Sequence, residues 1–206
     1  MTKQNCTGIK PFNQVKRTVC GVGYNSGGSH LAYIEGKPSR EYSIWIAMIS
    51  RCYSKKTKEK LPTYKDCVTC LEWHDFQNFA EWYKKHPYFN KGYALDKDLL
   101  VRGNKVYSPE TCLLIPRELN ALIVSGGKDR NEYPRGVSLE SSTNKFFVTI
   151  SINGKSKNLG RYNCQYEAGL VYLEARKKYI KEKACEWKDC IDNRSYEALL
   201  NWVDAI

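Results

Sequence analysis

The stretch "GYALDKDLLVRGNKVYSPETCLLIPRELN", residues 92–120, gathers the side chains best suited to chemistry. Asp96 and Asp98 bracket Lys97 at the end of an apolar run, Asn104 closes a Gly-Asn turn, and Asn120 follows "LLIP". Carboxylate and amide oxygens are the donors a hard divalent ion prefers. A lysine between two carboxylates is different: its ammonium needs strong burial before it releases a proton near neutral pH. A second group is made of thiols. Cys67 and Cys70 form "CVTC", with Cys52 ahead and Cys112 beyond. Four thiolates can close a tetrahedral zinc, although a single CxxC is a weak signal and four small buried side chains would look the same. Cys185 and Cys190, in "CEWKDC", have a spacing less typical of zinc sites.

A third group lies on predicted strands. "RGVSLE" reads as one strand, and "KFFVTISING" alternates, with Phe146, Val148, Ile150 and Ile152 on one face and Phe147, Thr149 and Ser151 on the other. Asn153-Gly154 is a strong hairpin signal, and "KSKNLGRY" returns as a third strand. "QYEAGLVYLEARKKYI" is predicted as a helix with a stripe of Ala168, Val171, Tyr172, Ala175 and Tyr179. Three strands and one helix make a two-layer unit with the helix on the Phe146 face. The other face has nothing to cover it. Edged by Arg135, Lys145, Lys155, Lys157 and Arg161, it fits a DNA groove, the basic residues holding phosphates while Phe147, Thr149 and Ser151 read bases.

The elements that must position these groups are helices and short extended pieces, so the fold class is α+β. "EYSIWIAMISRCY" places Tyr42, Trp45, Met48, Ile49 and Cys52 on one helical stripe, and "EWHDFQNFAEWYKK" does the same with Trp73, Phe76, Phe79, Ala80 and Tyr83. These stripes read as core. Between them, "SKKTKEKLPTYKDC" reads as a polar stretch ending in a Pro turn and a short extended piece. Residues 1–40 are glycine-rich and read as an ordered arm over the next helix, with a short strand at 19–24. "SGGKDRNE", 125–132, has linker composition. The expected organisation is therefore a helical module over 1–124 with a finger at 92–124, a linker, a second domain over 133–183, and a helical tail over 184–206.

Composition narrows the function. In 206 residues, 33 Lys plus Arg face 22 Asp plus Glu, a net charge of +11. That excess attracts polyanions, duplex DNA above all. No apolar run approaches the roughly 18 residues of a membrane span, and the first residues lack the apolar core of a signal peptide, so a cytoplasmic protein without membrane contact is expected. Nine cysteines, an odd number without an export signal, argue for free thiols or metal ligands over disulfides.

Two resemblances sharpen these expectations. "RGVSLESSTNKFFVTISINGKSKNLGRYNCQYEAGLVYLEAR" resembles the Apetala-type domain of plant ethylene-response factors, through its opening Arg-Gly-Val, the aromatic after Lys145, "LGRY" and the alanine-bearing helix. It implies major-groove binding through the sheet. Cys164 stands where that family has a Thr helix cap, which hands the capping role to Asn163. Residues 93–122 resemble the HNH (ββα-metal) nuclease finger: "LDKD" at the end of the first strand, "SPETC" for the "PEN" loop, "LLIP" for the second strand and Asn120 at the last ligand position. Upstream, "YSIWIAMISRCY" and "CVTCLEWHDFQNFAEW" resemble the helical lead-in of phage-encoded members. The resemblance implies a catalytic Mg²⁺ or Mn²⁺ held by Asp96 and Asn120, with Asn104 as the loop Asn. Lys97 replaces the family's base His, which leaves Lys97 or Asp98 as the candidates for that role, strand alternation putting Asp96 and Asp98 on one side and Lys97 on the other. The expected function is DNA phosphodiester hydrolysis by a homing or nicking endonuclease; the alternatives are a DNA-binding regulator that no longer cuts, or a phage protein that binds host machinery.

Overall fold

The structure, a computed structural model, describes residues 19–123 and 132–202. The chain divides into two compact units, one made of residues up to 91 and 95–114, the other of 92–94 and the residues from 115 on. The division falls at 114/115 instead of in the expected 125–132 linker, which lies outside the described residues except for Glu132. The segment carrying Asn120 therefore groups with the C-terminal unit.

In the first unit a short hairpin, β1 (Tyr33–Ile34) and β2 (Lys37–Pro38), leads into helix α1 (Arg40–Tyr53). Ser39 caps α1 by accepting from Tyr42 N. The apolar stripe falls as the spacing requires: Trp45, Met48, Ile49 and Cys52 are fully buried. Helix α3 (Phe76–Lys85), capped by Asp75, sets Phe76, Phe79, Ala80 and Tyr83 against it. The indole of Trp45 donates to Trp73 O at 2.7 Å, and Glu41 pairs with Lys84 at 3.0 Å. Each buried aromatic contributes about 2 kcal/mol of transfer free energy, so this cluster is the unit's core. Residues 1–18 of the expected arm lie outside the described residues; from residue 19 on, the glycine-rich segment docks on this unit. Tyr24 N donates to His74 O, Ser26 N donates to Asp75 Oδ1, and a Cβ at Gly23 would stand 2.9 Å from the Trp45 ring.

Besides the β1–β2 hairpin, a helix was not expected. The lysine run folds as a short helix, α2 (Lys55–Lys60), capped by Ser54 and burying nothing. Beyond a 3-10 turn at Pro62–Tyr64, strand β3 (Val68–Thr69) pairs in parallel with β5 (Val106–Tyr107), and β4 (Ala94–Asp96) pairs with β6 (Leu113–Ile115). Helix α4 (Arg117–Ile123) follows β6.

The C-terminal unit is a three-stranded antiparallel sheet of β7 (Val137–Glu140), β8 (Lys145–Ile152) and β9 (Lys155–Tyr162), packed on helix α5 (Gln165–Glu186). Val137, Val148, Ile150, Ala168 and Tyr172 form its core, with Phe146 and Ile152 packed against them, so the predicted inward face of β8 is the one the helix covers. Asn153 and Gly154 adopt φ +49° and +76°, the left-handed pair a two-residue hairpin needs. Tyr179 holds that turn to the helix, its hydroxyl donating to Asn153 Oδ1 and accepting from Asn153 N, both at 3.0 Å. Helix α5 begins at Cys164 without a side-chain cap, so Asn163 does not take the role expected of it. It runs past the expected boundary at 183. Its far side is covered by α6 (Asn193–Leu200) with Ile191 and Trp202, and by α4, where Lys183 meets Glu118 at 2.9 Å and Arg176 donates to Leu122 O.

Two glycines test this packing. Gly136 has φ +76°, and a Cβ there would lie 2.1 Å from Tyr172 Cδ2 and 2.8 Å from Thr149 O. Gly154 has the same φ and open space around it. In urea unfolding, Gly136→Ala is expected to cost about 3 kcal/mol, strain and overlap together, and Gly154→Ala about 1 kcal/mol, strain alone. Equal losses would contradict the packing at Tyr172.

Candidate nucleic-acid interface and the 96–111 loop

The loop after β4 is built from its own polar side chains. Asp96 is buried, and its Oδ2 accepts from Asp98 N at 2.9 Å and Leu99 N at 2.7 Å, turning the chain out of the strand. The strand ends there, so its alternation does not reach residue 98. Asp96 is enclosed while the Asp98 side chain is half exposed, and the expected pairing of these carboxylates on one side is not what forms. Nor does Lys97 point away. Its ammonium donates to Asp98 Oδ1 at 2.6 Å and Asn104 O at 2.5 Å and lies 5.8 Å from the Tyr107 ring centre. Lys97 has the burial a lysine base requires, 6% exposed. But an ammonium that donates to a carboxylate and a carbonyl has no lone pair to offer water.

Asn104 acts as the pin of the loop. Its Nδ2 donates to Lys97 O at 2.9 Å and Val106 O at 2.6 Å, and its Oδ1 accepts from Val106 N at 3.0 Å. In the "SPET" segment, Thr111 donates to Val106 O at 2.8 Å and its hydroxyl meets that of Ser108 at 3.1 Å. Residues 96–111 thus hold one shape without an ion. Burial pushes the Asp96 carboxyl above the usual carboxylate range, more strongly than its two backbone hydrogen bonds lower it. The histidines are engaged elsewhere: His30 with Glu81 at 2.9 Å, His74 with Tyr53 at 3.3 Å, and buried His86 against the backbone of β6, its Nε2 facing Leu114 N at 3.4 Å. On α4, the side-chain oxygen of Asn120 is buried and unpartnered among the described residues.

The four thiols proposed as zinc ligands do not form one cluster. Among the described residues no three His, Cys, Asp or Glu side chains stand together as a ligand set. Cys52, Cys67 and Cys112 are buried and Cys70 partly so. Burial pushes Cys52 up to about 12 and Cys70 up to about 11. The described cysteines are all free thiols.

The open face of the sheet differs from its sequence expectation in one decisive way. Strand β9 carries a bulge: Val148 pairs with Gly160 and Thr149 with Asn158, leaving Leu159 without a partner. Directly paired residues share a face. Arg161 therefore joins Phe147, Asn158 joins Thr149, and Ser156 joins Ser151 on the open side. Lys155 and Lys157 pair with Ile152 and Ile150 and leave from the helix-facing side, so they do not edge the open face as expected. Ser138, opposite Phe147, and Glu140, opposite Lys145, complete it. Ser138, Ser156 and Asn158 were not foreseen. The signal was available: a lone glycine within a strand pattern, Gly160, marks a bulge. Asn158 Oδ1 accepts from Gly160 N at 2.8 Å and holds it, with Gly160 at φ +121°.

On this face the Arg161 guanidinium lies 4.8 Å from the Phe147 ring centre and donates through Nε and Nη2 to both carboxylate oxygens of Glu140, each at 2.8 Å. The guanidinium draws the exposed Glu140 carboxyl down to about 2. A solvent-exposed pair adds little stability, and its effect is to hold the guanidinium flat on the ring. Arg135 is exposed just ahead of β7.

Two measurements follow from this geometry. Because Asp96 has a raised carboxyl, the native state holds its proton more tightly than the unfolded chain. Stability then falls as pH rises from the unfolded value through the folded one. Asp96→Asn keeps an acceptor for Asp98 N and Leu99 N and removes the buried charge. It is expected to match or exceed wild-type stability at pH 8, with the difference shrinking toward pH 4; a variant less stable at pH 8 than at pH 4, relative to wild type, would contradict the burial argument. In thiol titration with peptide mapping, exposed Cys20, Cys164, Cys185 and Cys190 should react first and Cys52, Cys67 and Cys112 only on unfolding, unchanged by chelator. Rapid labelling of native Cys52 would contradict it. No protein-family model, no curated protein and no solved structure matches the chain.

Proposed function

We propose that the protein binds duplex DNA through the open face of its C-terminal sheet. The observation that carries this reading is the open face of the sheet, where Phe147, Thr149 and Asn158 stand together and the bulge at Leu159 adds Arg161 beside Phe147. Hydroxyl and amide side chains there offer donors and acceptors to base edges, the Phe147 ring offers an apolar contact, and Lys145 and Arg135 offer positive charge to phosphates, joined by Arg161 once a phosphate displaces Glu140 from it. The net charge of +11 supplies the attraction. The Apetala-type resemblance of the same segment supports the same partner. Among the described residues no helix is long and apolar enough to cross a membrane.

For the finger-like segment, the occupied ammonium of Lys97 favours a DNA-binding protein that holds its target without a conventional base. The second reading, metal-dependent nicking, is favoured by two observations. Asp96 accepts from Asp98 N and Leu99 N through Oδ2, and the Asn120 side-chain oxygen is buried and unsatisfied among the described residues. Oxygen donors of this kind fit a hard ion that keeps most of its own waters. Such an ion would stabilise the leaving oxygen of a phosphodiester. In that case Asp96 is the ligand the HNH resemblance implies in the first unit, Asn104 fixes the loop, and Asp98, freed from Lys97, is the remaining base.

The tests are direct. If about six Lys or Arg side chains contact phosphates, log affinity should fall against log salt with a slope near about −5. Phe147→Ala should reduce discrimination between sequences, and Arg161→Ala should weaken all sequences alike. A flat salt dependence would contradict DNA binding. Plasmid incubation with Mg²⁺ or Mn²⁺ decides the second reading. Nicking that Asp96→Ala abolishes while binding persists supports hydrolysis; no nicking by the wild type, with tight binding, leaves the holding role. Were Lys97 only a clamp, Lys97→His would raise the rate, by about 10²-fold for a working general base.

A further inference from the structure

The lysine-rich helix α2 stands out because nothing in the fold's core accounts for it. It buries no residue, and a helix polar all round has no packing to sustain it. Its order comes from local polar ties. Ser54 accepts from Thr57 N, Lys58 Nζ donates to Lys65 O at 2.7 Å, and Lys105 Nζ, from the strand side, donates to Thr63 O at 3.2 Å. The Arg51 guanidinium lies 5.6 Å from the ring centre of Tyr64 in the 3-10 turn. These ties draw residues 55–65 and Lys105 into one ledge of the first unit.

The ledge is cationic: six lysines, Lys55, Lys56, Lys58, Lys60, Lys65 and Lys105, stand against Glu59 within it and Asp66 beside it. Lys55, Lys56, Lys60 and Lys65 are exposed, and among the described residues none of them makes an ion pair with a carboxylate. Lys56 and Lys60 stand at i and i+4, where like charges destabilise a helix slightly, a cost that the Ser54 cap offsets. Other exposed lysines of this unit are either paired, as Lys84 is with Glu41 and Lys85 with Glu81, or stand singly, as Lys37 and Lys91 do. What sets the ledge apart is the concentration of unpaired ammonium groups within residues 55–65, point charges that suit the phosphates of a nucleic-acid backbone.

We infer that the α2 ledge is a second DNA-contacting surface, which grips the phosphate backbone of a duplex without regard to sequence. The inference rests on the DNA reading above and extends it to the other unit of the chain. The sheet reads sequence; the ledge adds affinity.

The test compares full-length proteins. Lys55, Lys56, Lys60 and Lys65 are replaced together by Gln, leaving the Lys58 and Lys105 ties in place, and circular dichroism with thermal unfolding verifies the fold. Duplex affinity is measured across a salt series. The expected result is a salt slope shallower by about 3 and binding about 100-fold weaker at 50 mM salt, equally for every sequence. A control in which the exposed Lys177, Lys178 and Lys181 of α5 become Gln should shift the slope by less than about 1. A wild-type slope in the ledge variant overturns the inference while leaving the sheet reading intact. An equal loss per charge in the α5 control also overturns it, since net charge alone would then explain the effect. A wild-type protein that binds no DNA overturns the sheet reading and the ledge with it. Binding to phosphatidylserine vesicles that the ledge variant loses, with its DNA slope unchanged, assigns the ledge to lipid and overturns the inference.

Discussion

Leu159 has no partner on β8, and the extra residue it adds to β9 sets which side chains the sheet presents on either side of it. Before the bulge Lys155 and Lys157 leave from the helix-facing side; after it Arg161 leaves from the open side, across from Phe147. Asn158 and Gly160 hold the bulge, the first by a hydrogen bond and the second by a backbone angle that costs glycine little. The place of Arg161 on the open face follows from that one insertion. A regular β9 would have put Arg161 in line with the lysines and left Phe147 without its cation.

A second constraint shapes the first unit. Residues 96–111 are held by side-chain-to-backbone bonds from Asp96, Lys97, Asn104 and Thr111. The Lys97 ammonium is consumed in that work, tied to Asp98 and Asn104. The buried Asp96 carboxylate costs stability near neutral pH.

Much of the fold was legible because its signals are periodic. The stripes of α1 and α3, the alternation of β8 and the Asn153-Gly154 turn each reflect a local rule that the packing reinforces. What stayed hidden depends on distant partners. Helix α2 has no apolar stripe and is ordered by Lys58 and Lys105 reaching across the chain. The pairing of β3 with β5 is two residues long and joins segments far apart in sequence. Asp98 leaves the strand because Asp96 turns the backbone, a change that strand alternation cannot anticipate. The bulge was half legible: Gly160 announced it, but the regular reading of "KSKNLGRY" carried Lys155 and Lys157 to the wrong face.

The central claim is that one face of the sheet meets DNA, and chemical-shift mapping of the full-length protein on titration with duplex DNA tests it residue by residue. The account predicts that the largest amide shifts fall on Ser138, Phe147, Thr149, Ser151, Asn158 and Arg161, with Lys155 and Lys157 little changed. Shifts confined to the exposed side of α5, or none anywhere in 137–162 under conditions of saturated binding, would contradict it.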